Sequence, residues 1–410
     1  MIKNDFCFYL VISPGLEEIS INEIEYKWVS FFPNEKIPEI KKLVGGLELS
    51  LPLEKGVLLN QILKIPTRIL LRFKGFKCRD LPKLFNKIKN IDWSPFLSEV
   101  PTSLKISCHH SRLFHTNKIE QTILKSFHVY FKAFPAKKKF IDNSKKFCPT
   151  TLFVRFDSDI CTISIDTSGE PLYKRSKRPF NGKAPIRENY GAALCFSLKE
   201  EIDFINKSKN KNHTGFHLID PMCGSGTFLV EANDWLKPNL ERSFSYFSYP
   251  CFKLNPPSLL IKNDSNELSY DKNSLFLTTR GYEASYKILQ KTKENNLSNE
   301  PNINISRHDL LSNDYMESLP KNNRAVIFNP PYGKRIKLNQ KPTSYYPNLF
   351  KKIKEKINPD FLAVVFPLPE EEKDKNIILN SLSPYKLVKK IAFKNGGIPV
   401  FFMIFYKQLS

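Results

Sequence analysis

The segment HLIDPMCGSGTFLVEA, residues 217–232, constrains the fold of this chain more than any other stretch. An apolar run ends at Asp220, Gly224-Ser225-Gly226 makes a tight turn, and Thr227 opens a helix. Glycines at such a turn let the backbone approach a ligand at the carboxyl end of a strand. A dinucleotide site would carry a third glycine where Leu229 stands, and a phosphate loop would carry Gly-Lys-Ser/Thr. Neither is present, so the turn is expected to serve a nucleoside ligand without a pyrophosphate, and S-adenosylmethionine fits.

After this unit, apolar strands alternate with helices to the end of the chain: FLTTRGYE, ASYKILQKTKENN, INISRHD, RAVIF, YPNLFKKIKEKI and FLAVVFP. This alternation predicts an α/β, mostly parallel, doubly wound sheet, with KLVKKIAFK and VFFMIFYK as an antiparallel edge. Glu283 ends the next predicted strand, where a carboxylate can accept hydrogen bonds from ribose hydroxyls. It lies well beyond the roughly 20-residue spacing of dinucleotide folds, so residues 239–275 are expected to be an insertion or an irregular helix. Asp309 ends the following strand and could accept from an adenine amine.

AVIFNPPYGKR, residues 325–335, carries the chemistry. Two prolines after a strand stiffen the chain and leave carbonyls without neighbouring donors. The Asn329 side-chain oxygen and the Pro330 carbonyl can each accept one hydrogen of an exocyclic amine. The nitrogen lone pair is then aimed at a methyl donor, Pro331 holds the turn, and Tyr332 can stack on the base. No strong general base is required.

The formal net charge of +22 points to a polyanionic partner, with nucleic acid first. Lys174, Arg175, Lys177 and Arg178 in a basic linker are candidate phosphate contacts, and Arg112 is a weaker one. The eight cysteines form no C-x-x-C pair and suggest reduced thiols. The Cys108-His109-His110 and His115 spacing matches no standard zinc pattern, so no metal is expected. MIKNDFCFYLVISPG lacks a cleavage site, and no run approaches the ~18 apolar residues of a membrane span. A soluble, cytoplasmic protein is expected. The first 170 residues read as small α+β modules, with a hairpin at Ser158-Asp159.

DPMCGSGTFLVEA together with NPPYG resembles the amino-methyltransferases of nucleic acids. SGEPLYKR before APIRENYGAAL, and SCHHSRLFHT before a helix, resemble the RNA branch that carries a THUMP domain. That branch includes bacterial large-subunit rRNA guanine-N2 methyltransferases and tRNA relatives. The likeness runs through to the closing FKNGGIPVFF. It implies a ferredoxin-like module at 1–55, a THUMP RNA-binding domain at 56–168, a basic linker at 169–180 and a Rossmann-like class I methyltransferase at 181–410. It implies cofactor contacts from Asp220, Gly224, Gly226, Glu283 and Asp309, and Pro221, Met222, Cys223, Ser225 and Thr227 of the same turn are candidates beside them. It implies target-base contacts from Asn329, Pro330 and Tyr332, and Pro331 between them is a candidate as well. One departure is Gly281-Tyr282-Glu283 where the family reads Gly-Ser-Asp. The expected activity is N2-methylation of guanine in structured RNA, rRNA first and tRNA second, with base flipping. The rivals are a DNA adenine or cytosine amino-methyltransferase and a non-catalytic RNA-binding assembly factor.

Overall fold

The computed structural model describes residues 5–73, 75–135, 150–175, 182, 185–209, 215–252, 256–257, 259, 274–294, 300–316, 319–333 and 337–408. They cluster into two compact units. The first comprises Met1–Ile12, Ile24–Lys174 and Pro238–Lys262; the second comprises Ser13–Glu23, Arg175–Lys237 and Asn263–Ser410.

The first part of the chain runs β1 (Phe6–Val11), α1 (Glu17–Phe31), β2 (Ile40–Leu43), β3 (Gly46–Leu51), α2 (Leu53–Ile62) and β4 (Arg68–Arg72). It continues through β5 (Phe76–Lys77), α3 (Leu81–Lys89), β6 (Ser103–His109), α4 (Thr116–Ala133), β7 (Thr151–Asp157) and β8 (Ile160–Asp166). One sheet joins these strands in the order β2-β3-β1-β4-β8-β7-β6, with β5 on β8. The resemblance places a module boundary after residue 55; β1 pairs with β3 on one side and β4 on the other, so one sheet spans that position. Backbone pairing is settled by partners far apart in sequence, which a pattern read along the chain does not show. The β7–β8 hairpin turns at Ser158 and Asp159, both with positive φ, a geometry that suits the twist of paired strands.

Residues 238–262 group with this unit as well. Their described part forms two short 3-10 helices, Ser245–Ser248 and Pro250–Phe252. Gln61 Nε2 donates to Tyr246 Oη at 2.7 Å, and Tyr249 Oη donates to the Asp166 carbonyl at 3.0 Å. Both tyrosines are fully buried, so each hydroxyl needs such a partner.

The second unit is built on α5 (Glu188–Ser208), β9 (His217–Asp220), α6 (Thr227–Asn233), β10 (Thr278–Glu283), α7 (Tyr286–Glu294) and β11 (Ile303–Arg307). It is completed by β12 (Arg324–Phe328), α8 (Pro342–Lys356), β13 (Phe361–Phe366), α9 (Glu372–Asn380), β14 (Tyr385–Asn395) and β15 (Ile398–Lys407). The sheet order is β11-β10-β9-β12-β13-β15-β14. β11, β10, β9, β12 and β13 run parallel, and β15 is antiparallel to both of its neighbours. This is the Rossmann-like α/β architecture with an antiparallel edge. β13, FLAVVF, is buried at every position, as expected for a strand covered by helices on both faces. β9 lies between β10 and β12, so the chain reverses its winding there. Open α/β sheets bind ligands beyond the carboxyl ends of the strands at that reversal. Among the described residues no helix is long and apolar enough to cross a membrane.

Candidate active site

A cavity of about 400 Å³ opens at the carboxyl ends of the parallel strands in the second unit. Its first wall is the turn after β9, where Asp220, Pro221, Met222, Cys223, Gly224, Ser225 and Thr227 all face it. Gly224 and Gly226 have φ of +52° and +79°, the left-handed region that side chains resist. Backbone bonds hold the turn shut: Cys223 N–H donates to Tyr282 O at 2.9 Å, and Gly226 N–H to Cys223 O at 2.8 Å. The buried Thr292 of α7 donates from Oγ1 to Gly224 O at 2.6 Å. Gly226 caps α6 from behind and is not part of the lining.

Three carboxylates face the cavity. Asp220 is 2% exposed, and its Oδ1 accepts from Met222 N–H at 3.0 Å. Burial pushes the Asp220 carboxyl up to about 8; the Met222 N–H opposes the rise, and the nearby Glu283 charge adds to it. Glu283 ends β10 and accepts from Ser285 N–H at 2.8 Å through Oε1. Asp309, exposed after β11, accepts from Leu311 N–H at 2.9 Å. Apolar contacts come from Ile186, Phe228, Ile288 and Leu310, which the sequence reading did not single out. The only sequence signal for Leu310 is that it follows an acid; the others come from separate helices or loops that the fold gathers.

A second part of the lining is Asn329, Pro330 and Pro331, just after β12. Tyr332 is half-buried against the core of the second unit and stands outside the lining. Its hydroxyl donates to Asn329 Oδ1. Tyr346, on α8 and 2% exposed, donates to the Pro331 carbonyl at 3.3 Å. The two proline carbonyls are therefore not equivalent: the Pro331 carbonyl is engaged from within the fold. Asn395, at the end of β14, donates from Nδ2 to Tyr332 Oη at 3.3 Å. His308, also in the lining, is held below the usual imidazole range by burial and then by the Lys356 charge.

The basic residues fare differently. Arg175 is not available to a phosphate: its side chain is 9% exposed and pairs with Glu231, itself 2% exposed, at 2.6 Å. A guanidinium that gave up this partner would leave a buried carboxylate unpaired, which is costly. Lys174 is exposed and pairs with Glu170 at 2.7 Å, an interaction easily exchanged at the surface. Arg112 is exposed, and its backbone N–H is held by Asp159 Oδ1 at 2.8 Å. Lys177 and Arg178 lie outside the described residues. Among the described residues no three His, Cys, Asp or Glu side chains converge as a metal cage.

Residues 175–375 match the family model described as UPF0020: RMKL-like, methyltransferase domain. The ribosomal RNA large subunit methyltransferase K/L of Pseudomonas entomophila (strain L48) is 26% identical over 422 residues, covering 99% of this chain and 53% of that protein. The chain thus spans about half the length of that relative. A chain described as "a possible methylase" from Clostridium difficile 630 superposes with a TM-score of 0.71 at 21% identity, covering 99% of both chains. SMU.472, solved in complex with SAH, gives a TM-score of 0.71 at 18% identity over 100% of both chains. These likenesses extend the shared fold to the full length of the chain.

Proposed function

We propose that this chain, whose residues 175–375 match the RMKL-like methyltransferase domain model, methylates the N2 amine of a guanine in large-subunit rRNA, using S-adenosylmethionine. The carrying observation is that the glycine turn and the Asn329-Pro330 wall line one cavity. The name of the Pseudomonas relative supports the rRNA substrate, and the SAH complex of SMU.472 supports the cofactor.

The donor set suits a sulfonium nucleoside. The Glu283 and Asp309 carboxylates would oppose a pyrophosphate, whereas the acidic side chains of the lining can accept hydrogen bonds from ribose hydroxyls and an adenine amine. Glu283 would hold the ribose and Asp309 the adenine amine, with Phe228, Ile288 and Leu310 against the apolar ring. When bound, the cofactor supplies an electrophilic methyl group.

The remaining work falls to this chain's own groups. Asn329 Oδ1 and the Pro330 carbonyl accept the two amine hydrogens, which draws the nitrogen lone pair out of conjugation with the ring and aims it at the methyl donor. Pro331 keeps the turn stiff, and Tyr332 steadies the asparagine through its hydroxyl and stacks its ring on the base. Catalysis is positioning plus electrostatics, because the amine becomes acidic only as the new bond forms. The target base has to leave its stack to enter. We assign residues 1–55 and 56–168 to the ferredoxin-like and THUMP roles, with Lys174 and Arg112 as phosphate contacts. Binding is then strongly salt-dependent, and an rRNA substrate puts the protein in the cytoplasm.

The test is transfer of labelled methyl from S-adenosylmethionine to total RNA or DNA, followed by nucleoside digestion. N2-methylguanosine confined to rRNA is expected. Label in tRNA alone, methyladenine in DNA, or no transfer overturns the assignment.

A further inference from the structure

The geometry points to Asn395 as the positioning residue of the target-amine site, acting through Tyr332 on Asn329. This rests on the methyltransferase reading of that wall. β14 and β15 pair down to Asn395 and Ile398, and Gly396 and Gly397, at φ +58° and +86°, close the hairpin between them. β15 runs antiparallel to β13 and pairs Phe401 with Phe366, so this hairpin tip lies at the carboxyl end of the parallel strands. Asn395 is only 5% exposed there, so its amide needs internal partners.

A directed chain of hydrogen bonds results. Asn395 Nδ2 donates to Tyr332 Oη, and Tyr332 Oη donates to Asn329 Oδ1. A donor on the phenol oxygen turns its proton away from Asn395 and strengthens the bond it makes onward. The phenol proton is thereby committed to Asn329. A carboxamide oxygen accepts two hydrogen bonds, so the phenol and a substrate amine can share it. The shared bond orients the Asn329 carboxamide with its oxygen, not its NH₂, toward the incoming amine. With the amide reversed, two donors would face each other and the amine lone pair would not be aimed.

The experiment compares Asn395→Ala, Asn395→Asp, Tyr332→Phe and the Asn395→Ala/Tyr332→Phe double variant. Asn395→Ala should lower kcat about three- to tenfold, the worth of one hydrogen bond, with KM for RNA and Kd for SAH unchanged. Asn395→Asp should lose at least as much, because a carboxylate accepts the phenol proton and pulls it off Asn329. The double variant should be no worse than Tyr332→Phe alone, since the two residues act in series. In the unliganded protein, the ¹³Cζ resonance of Tyr332, assigned by its loss in Tyr332→Phe, should move in both Asn395 variants. Additive losses, wild-type kcat in Asn395→Asp, loss of SAH binding, or an unmoved resonance would each overturn the proposal. If the wild-type protein methylates no RNA, the functional reading fails, and the resonance in the unliganded protein still decides the relay.

Discussion

The two walls of the cavity are held in different ways. The glycine turn at 220–227 is fixed mainly through backbone atoms, by two left-handed glycines and N–H bonds to the Tyr282 and Cys223 carbonyls, with one threonine hydroxyl from α7 on the Gly224 carbonyl. The wall at 329–332 is fixed by side chains reaching in from elsewhere, Tyr346 from α8 and Asn395 from β14, with Tyr332 between. A backbone-locked wall presents donors and acceptors of fixed position and suits an invariant cofactor. A side-chain-locked wall can be tuned in orientation and suits the reacting atoms. Damage to the first should therefore appear in cofactor affinity, and damage to the second in turnover.

The largest expected effect breaks the second wall. Asn329→Ala should reduce kcat by about 100- to 1,000-fold, as loss of a transition-state contact does, while calorimetry finds SAH binding within about twofold of wild type. A fall in SAH affinity as large as the fall in kcat would erase the contrast. Next comes the first wall. Gly226→Ala puts a side chain at φ +79°, a strain of about 1–2 kcal/mol. It should weaken SAH binding by about five- to thirtyfold, and kcat at saturating cofactor should stay close to wild type.

Thr292→Val sharpens the comparison. It keeps the shape and leaves the Gly224 carbonyl without its 2.6 Å donor, so SAH affinity should drop about three- to tenfold. An unchanged affinity would mean that the turn holds itself. The smallest effect concerns Asp220. Its folded pKa of about 8 lies above the ordinary carboxylate value. The native state thus holds the proton more tightly than the unfolded chain. Its contribution to stability is fully present below the ordinary carboxylate range and is lost as pH rises to about 8. Between pH 5 and 8 the melting temperature of the unliganded protein should fall more steeply than that of Asp220→Asn, by a few degrees. Parallel melting profiles would remove Asp220 as the source.

Local backbone demands were legible in the sequence. A strand that runs into G-x-G can only turn tightly, and two prolines after a strand can only stiffen it, because both constraints act within a few residues. The alternation of apolar runs gave away the parallel sheet and its antiparallel edge for the same reason. The acids at the strand ends followed once those strands were placed, and Asp220, Glu283 and Asp309 do face one cavity.

What lay beyond the sequence were the partners that only a closed sheet brings together. Arg175 reads as one more charge in a basic linker until folding sets it against Glu231, 56 residues away, and buries both. The aromatic stretch after residue 238 reads as an insertion until Tyr246 and Tyr249 find Gln61 and Asp166. Asn395 stands only as a residue between two closing apolar runs until β15 folds back along β13 and carries it to Tyr332, 63 residues away. The sequence alone determined which turns and strand ends this chain has, since those are set by steric limits on neighbouring residues. Only the tertiary structure decided which side chains are committed to one another, because hydrogen bonds and ion pairs depend on distance in space and on burial.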